Sequence, residues 1–150
     1  MKDRFMNGLI AGGIAGIFAL LIDLFFIDIL KFGELKFWDF SSILLFGHKP
    51  QSFWQTTFGI IGHIGFAAMG GVIFVYLIRL ISSKYIYIKG VFFGLTIWFA
   101  AYTTTYMLKV PHLKDISFET SVADYFSSVI YGLTLTYVVI KLTCKNSAEC

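Results

Sequence analysis

Charge is scarce in this chain, proline is nearly absent and cysteine is confined to one end. Only 14% of the residues are charged, against about 25% in ordinary soluble domains. That scarcity excludes a globule with a fully hydrated surface. The net charge of +3 comes from dispersed basic residues, which excludes the clustered basic footprint of a nucleic-acid-binding protein. Two prolines in 150 residues leave long stretches with nothing to interrupt a helix. The two cysteines, Cys144 and Cys150, lie in the tail. They are too few for a disulfide framework and do not have the spacing of a four-ligand zinc site. No G-x-S-x-G, C-x-x-C, H-E-x-x-H or glycine-rich phosphate loop occurs, so the expectation is that the chain is not an enzyme and carries no metal or cofactor. A bis-histidine haem is also disfavoured, because His48 and His112 fall in loops and leave only His63 within a span.

Hydrophobic residues make up 57% of the chain. They concentrate in four stretches, about 7–30, 53–81, 89–108 and 119–142. Each reaches or exceeds the ~20 residues that cross a ~30 Å hydrocarbon core as a helix. The sequence therefore predicts an all-α integral membrane protein, a single four-span domain over 1–150 that packs as a four-helix bundle in a lipid bilayer. The first span follows Lys2 and Arg4, but its apolar run is longer than a signal-peptide core and no small-x-small cleavage site follows it, so it is read as a retained helix. Placing both termini in the cytoplasm puts Lys2, Arg4, Arg79, Lys84, Lys89, Lys141 and Lys145 inside, against Lys31, Lys36, Lys49, Lys109 and Lys114 outside. The positive-inside rule favours that orientation.

The connections differ in kind. Residues 31–52 are too apolar for a plain loop: Phe37, Trp38, Phe40, Ile43, Leu44 and Phe46 surround Asp39, Ser41 and Ser42. They predict a short interfacial or re-entrant helix, with Gly47, His48, Lys49 and Pro50 turning the chain into the second span. Residues 82–88 form a tight connection, which predicts that spans two and three are antiparallel neighbours. Pro111 stops the third span and Ser117 is placed to cap the fourth. Trp54, Tyr85 and Tyr87 suit an interfacial aromatic belt.

Gly90, Gly94, Leu95 and Trp98 spell G-x-x-x-G-L-x-x-W; Pro111-His112-Leu113-Lys114 and then Tyr131-Gly132 with Tyr137 follow in order. This half of the chain resembles the YqhR-type family, small four-span membrane proteins of spore-forming low-GC Gram-positive bacteria. The resemblance implies a four-helix fold in a bacterial cytoplasmic membrane. The family has no established activity, so it assigns no catalytic residue.

Gly8, Gly12 and Gly16 recur every four residues in the first span, and Gly59, His63, Ala67 and Gly70 form a similar stripe in the second. Such small-residue faces let helices approach closely, within this chain, in a homodimer or against another membrane protein. Asp23 falls on the first span's glycine face, seven residues after Gly16, and a carboxylate inside a span costs ~2.5–3.5 kcal/mol on insertion scales. Counting rise per residue places Asp23 and His63 within about one turn of the same depth, which predicts a pair hydrogen-bonded directly or through one water, with Tyr102 or Asp124 nearby. Two functions follow. The favoured one is a non-enzymatic structural or accessory membrane component. The alternative is a small transporter or channel whose outer-half polar site, built from Asp23, His63, Tyr102 and Asp124, takes a proton, cation or small solute.

Overall fold

The computed structural model describes residues 3–81, 84–113 and 115–145, the side chains of Cys144 and Lys145 excepted. Lys2, Ser82, Lys114 and Cys150, which entered the orientation, connection and tail readings, lie outside the described residues. Helix α1, Arg4–Leu24, is capped by Asp3, whose carboxylate accepts from the Met6 amide at 3.0 Å, and it runs on into a π-helical turn over Phe25–Ile29. Next come α2 (Phe37–Phe46), α3 (Phe53–Ile81), α4 (Ile86–Met107) and α5 (Phe118–Lys145). Four of these helices are long and apolar enough to cross a membrane, and the chain is a multi-pass, all-helical bundle. At the head of α5 the Ser117 hydroxyl accepts from the Thr120 amide at 3.3 Å, the cap its position predicts.

Small residues decide which helices touch. Gly8 and Gly12 on α1 meet the α3 backbone: a β-carbon at Gly8 would lie 2.7 Å from Val72 Cα, and one at Gly12 would lie 2.8 Å from Ala68 Cα. Gly16 abuts the Ala67 side chain. A second close crossing joins α4 to α5, where Gly90 meets Gly132 and Thr136 and Gly94 meets the Ser128 carbonyl. Helix α1 also packs along α5. The order across the bundle is therefore α3, α1, α5, α4.

The expectation that spans two and three pack side by side does not hold: α3 and α4 touch only sparsely. A short connection limits how far two helix ends can separate, but side-chain size sets which faces close up along their length. The small face of α3 is taken by α1, and that of α4 by α5.

Helix α2 dips into the bundle rather than lying flat on it. Its Ser42 side chain and Trp38 carbonyl press on Gly59 of α3. Ile43, 1% exposed, joins Leu35 and Leu113 in a small second core between the two connecting segments. Leu44 and Leu45 stay exposed on the other face. Gly47 ends α2 with φ +79°, a left-handed conformation that glycine adopts without steric cost.

Candidate functional site

Asp23 continues the stripe Ala11, Ala15, Ala19 on α1, each 0–2% exposed. That stripe faces α5, and it brings Asp23 to Asp124, both 0% exposed and within hydrogen-bonding reach of each other. The outer oxygens of the pair are satisfied. Asp23 Oδ2 accepts from the Phe37 amide, the first residue of α2, at 2.9 Å. Asp124 Oδ2 accepts from the Tyr102 hydroxyl at 2.5 Å. The other two oxygens, Asp23 Oδ1 and Asp124 Oδ1, have no donor, and Trp98 Nε1 and Ser127 Oγ are also buried without a partner. Two ionised carboxylates offer each other only acceptors. The pair is thus short of a donor that a proton or a cation would supply.

His63 does not pair with Asp23, contrary to expectation. Its Nε2 donates to the Gly16 carbonyl at 3.4 Å, and its ring stacks on Phe37 with centroids 4.9 Å apart. The contacts Gly8–Val72, Gly12–Ala68 and Gly16–Ala67 fix the register. Extended along the helices, that register sets Asp23 level with about Thr57, roughly 9 Å from His63 along the axis. Phe37 stands between them, bonding one through its amide and stacking on the other through its ring.

A cavity of about 120 Å³ opens between α3 and α4, where those helices part. Asp124 and Ser128 contribute its polar wall, and His63 lines the opposite side. Phe37 and Phe40 of α2 close it at one end. Phe66, 62% exposed, forms its rim on the lipid-facing side. Tyr102 is held between Phe40 and Trp98, with ring centroids at 5.8 and 5.3 Å.

Asp23, Tyr102 and Asp124 therefore come together, and His63 reaches the same cavity by a different wall. Gly8, Gly12 and Gly16 lie against α3, Gly59 against α2, and Gly70 against the Tyr131 hydroxyl and Ile97. Sequence reasoning did not single out Phe37, Trp98 or Tyr131 for this site, or place Ser127 in it as an unpartnered hydroxyl. Helical spacing carried part of the signal, since Trp98 precedes Tyr102 by four residues and Tyr131 follows Asp124 by seven. Among the described residues no group of three or more His, Cys, Asp and Glu side chains could hold a metal ion. Comparison with family models, curated proteins and solved structures finds no match to this chain.

Proposed function

We propose that this chain is a non-enzymatic membrane protein that reversibly binds a proton or small solute in the cavity between α3 and α4. The observation that carries the reading is the buried Asp23–Asp124 pair with two donor-less oxygens, of which Asp124 lines that cavity. Each carboxylate costs ~2.5–3.5 kcal/mol to place within a span, and the two glycine crossings already set the register of α1 on α3 and of α4 on α5. An accessory role is favoured over a transporter by the apolar inner half, and its partners would meet the chain on helix faces left open. The glycine faces at Gly8, Gly12, Gly90 and Gly94 are filled within the chain, so they are not those faces. Among the described residues the buried cluster beyond the cavity is apolar, with Ala15, Phe74, Leu135 and Val139 packed between it and the helix ends at Arg4 and Lys145. Binding therefore fits better than conduction.

The lysine and arginine bias puts both termini in the cytoplasm and the cavity in the outer half. Kinship with YqhR-type proteins of bacterial cytoplasmic membranes rests on the G-x-x-x-G-L-x-x-W pattern alone; in this chain its two glycines make the α4–α5 crossing and its tryptophan lines the cavity. The test is thermal unfolding of the purified protein against a panel of small cationic, neutral and anionic solutes, alongside Ala101→Leu, which narrows the cavity without touching a carboxyl. Stabilisation of the wild type alone by at least one solute class is expected. If no class separates the two proteins, the carboxyl pair serves only to hold α1 and α5 together.

A further inference from the structure

A groove of about 690 Å³ runs along α5 between α1 and α4. It shares no residue with the cavity described above. Leu133 and Val138 of α5 line it together with Ile14 and Phe18 of α1, and Tyr87, Tyr137 and Lys141 form its end toward the helix termini. Phe18, Leu133, Tyr87 and Tyr137 are all exposed, so the groove opens on lipid. Among the described residues no carboxylate lines it.

Depth along α5 sorts these groups in the order of a phospholipid. Lys141 lies about one turn from Lys145, the last described residue of the helix. Tyr137 is about 6 Å deeper and Leu133 about 12 Å deeper. The polar layer on each side of a bilayer is about 5–8 Å thick, so the step from Lys141 to Tyr137 matches a headgroup. The ammonium then falls at the phosphate, the phenol hydroxyls of Tyr87 and Tyr137 at the ester level, and the aliphatic wall against the acyl chain. A snorkelling lysine carries its charge away from the apolar surface into water. Lys141 instead keeps its ammonium over the Tyr137 ring, 5.1 Å from the centroid, at the end of the groove. Charge then selects among headgroups. The described basic side chains at this end of the bundle are Arg4, Arg79, Lys84, Lys89 and Lys141. Against them stands, among the described residues, one acid, Asp3, whose carboxylate is taken up by the Met6 amide. A trimethylammonium headgroup would add a further positive charge there, and an anionic one complements it.

We propose that this groove binds an anionic phospholipid, with its phosphate on Lys141, its esters on the Tyr87 and Tyr137 hydroxyls and one acyl chain along Ile14, Phe18 and Leu133. On the orientation proposed above, this end meets the cytoplasmic leaflet, where anionic lipids concentrate.

The experiment is native mass spectrometry of the detergent-solubilised full chain with equimolar phosphatidylglycerol and phosphatidylcholine of identical acyl chains, repeated on Lys141→Gln, Lys84→Gln and Leu133→Trp. The wild type is expected to retain one phosphatidylglycerol in preference to phosphatidylcholine by about fivefold, the worth of one basic group at an anionic surface. Lys141→Gln is expected to remove that preference. Lys84→Gln takes the same charge from the same end but outside the groove, and is expected to keep it. Leu133→Trp narrows the groove at the acyl level without touching Lys141, and lower retention of both lipids is expected. Equal retention of the two lipids by the wild type overturns the proposal, as does a preference that Lys141→Gln leaves intact. Equal losses in Lys141→Gln and Lys84→Gln overturn it as well, since diffuse charge at that end would then suffice. Retention indifferent to Leu133→Trp places the lipid outside the groove and also overturns it. Lys84, Leu133 and Lys141 are exposed, so the variants keep the helix packing, which matching unfolding midpoints check.

Discussion

Replacing Gly12 with alanine, beside the same change at Gly13, isolates what the close approach of α1 and α3 contributes. An alanine β-carbon at Gly12 would stand 2.8 Å from Ala68 Cα and 2.9 Å from the Ala68 carbonyl oxygen, where ordinary contact is 3.4–4 Å. The Ala67 carbonyl oxygen is nearer still, and all three obstacles are backbone, so no rotamer can relieve them and the helices must part by about half an ångström to one ångström. A gap of that size forfeits roughly a quarter to a half of each dispersion contact along the crossing. Overpacking of a tight interior costs ~1–3 kcal/mol. Alanine's better helix propensity returns up to ~1 kcal/mol, so a net loss of about 1–2 kcal/mol is expected. A β-carbon at Gly13 meets nothing within 4 Å, so Gly13→Ala keeps the propensity gain with no clash and is expected to be neutral or slightly stabilising. Reversible unfolding in mixed detergent micelles reads both. Indistinguishable midpoints for the two variants would refute the argument that backbone contact at Gly12 holds this pair of helices.

Asp23→Ala removes the acceptor for the Phe37 amide; faster amide exchange across residues 37–40 is expected, and much less so in Asp23→Asn, whose side-chain carbonyl can still accept. Tyr131→Phe deletes the 2.7 Å bond from the hydroxyl to the Ala67 carbonyl, for an expected loss of about 0.5–1.5 kcal/mol in the same unfolding assay. A single cysteine at Ser52, in a background without Cys144 and Cys150, is expected to react with an impermeant thiol reagent on intact cells. Labelling only after permeabilisation would reverse the proposed orientation.

The spans were legible because length and hydropathy suffice to set them: 53–81 matches α3 to the residue, and the others differ only by a few residues at their ends. The glycine and alanine spacing likewise showed which faces would close. Pairing across the bundle was not legible. Depth counted from span ends assumes that helices start level, yet the first turns of α3 run beyond the α1 crossing to meet α2 at Gly59. That offset moved His63 out of Asp23's reach. The spacing of seven from Gly16 assigns Asp23 to the glycine face, which meets α3; it also follows Ala19 by four, and the packed structure gives it to the alanine stripe, which leads to α5. The participation of the Phe37 amide could not be read from side-chain types at all, because the donor is backbone.

The order α3, α1, α5, α4 also bears on how the chain is assembled as it emerges from the ribosome. Helix α3 finds its partner waiting, since α1 is made first, and the crossing at Gly8, Gly12 and Gly16 can close early. Helix α4 has no such partner, because its glycine face fits only α5. At ~5–20 residues per second, α4 stands several seconds in the bilayer with Gly90 and Gly94 uncovered before α5 is complete. During that interval those glycines are open to any other close-packing helix nearby, and a chain interrupted before residue 132 leaves them so for good. The last helix to be made is therefore the one that both recruits α4 and delivers Asp124 to Asp23.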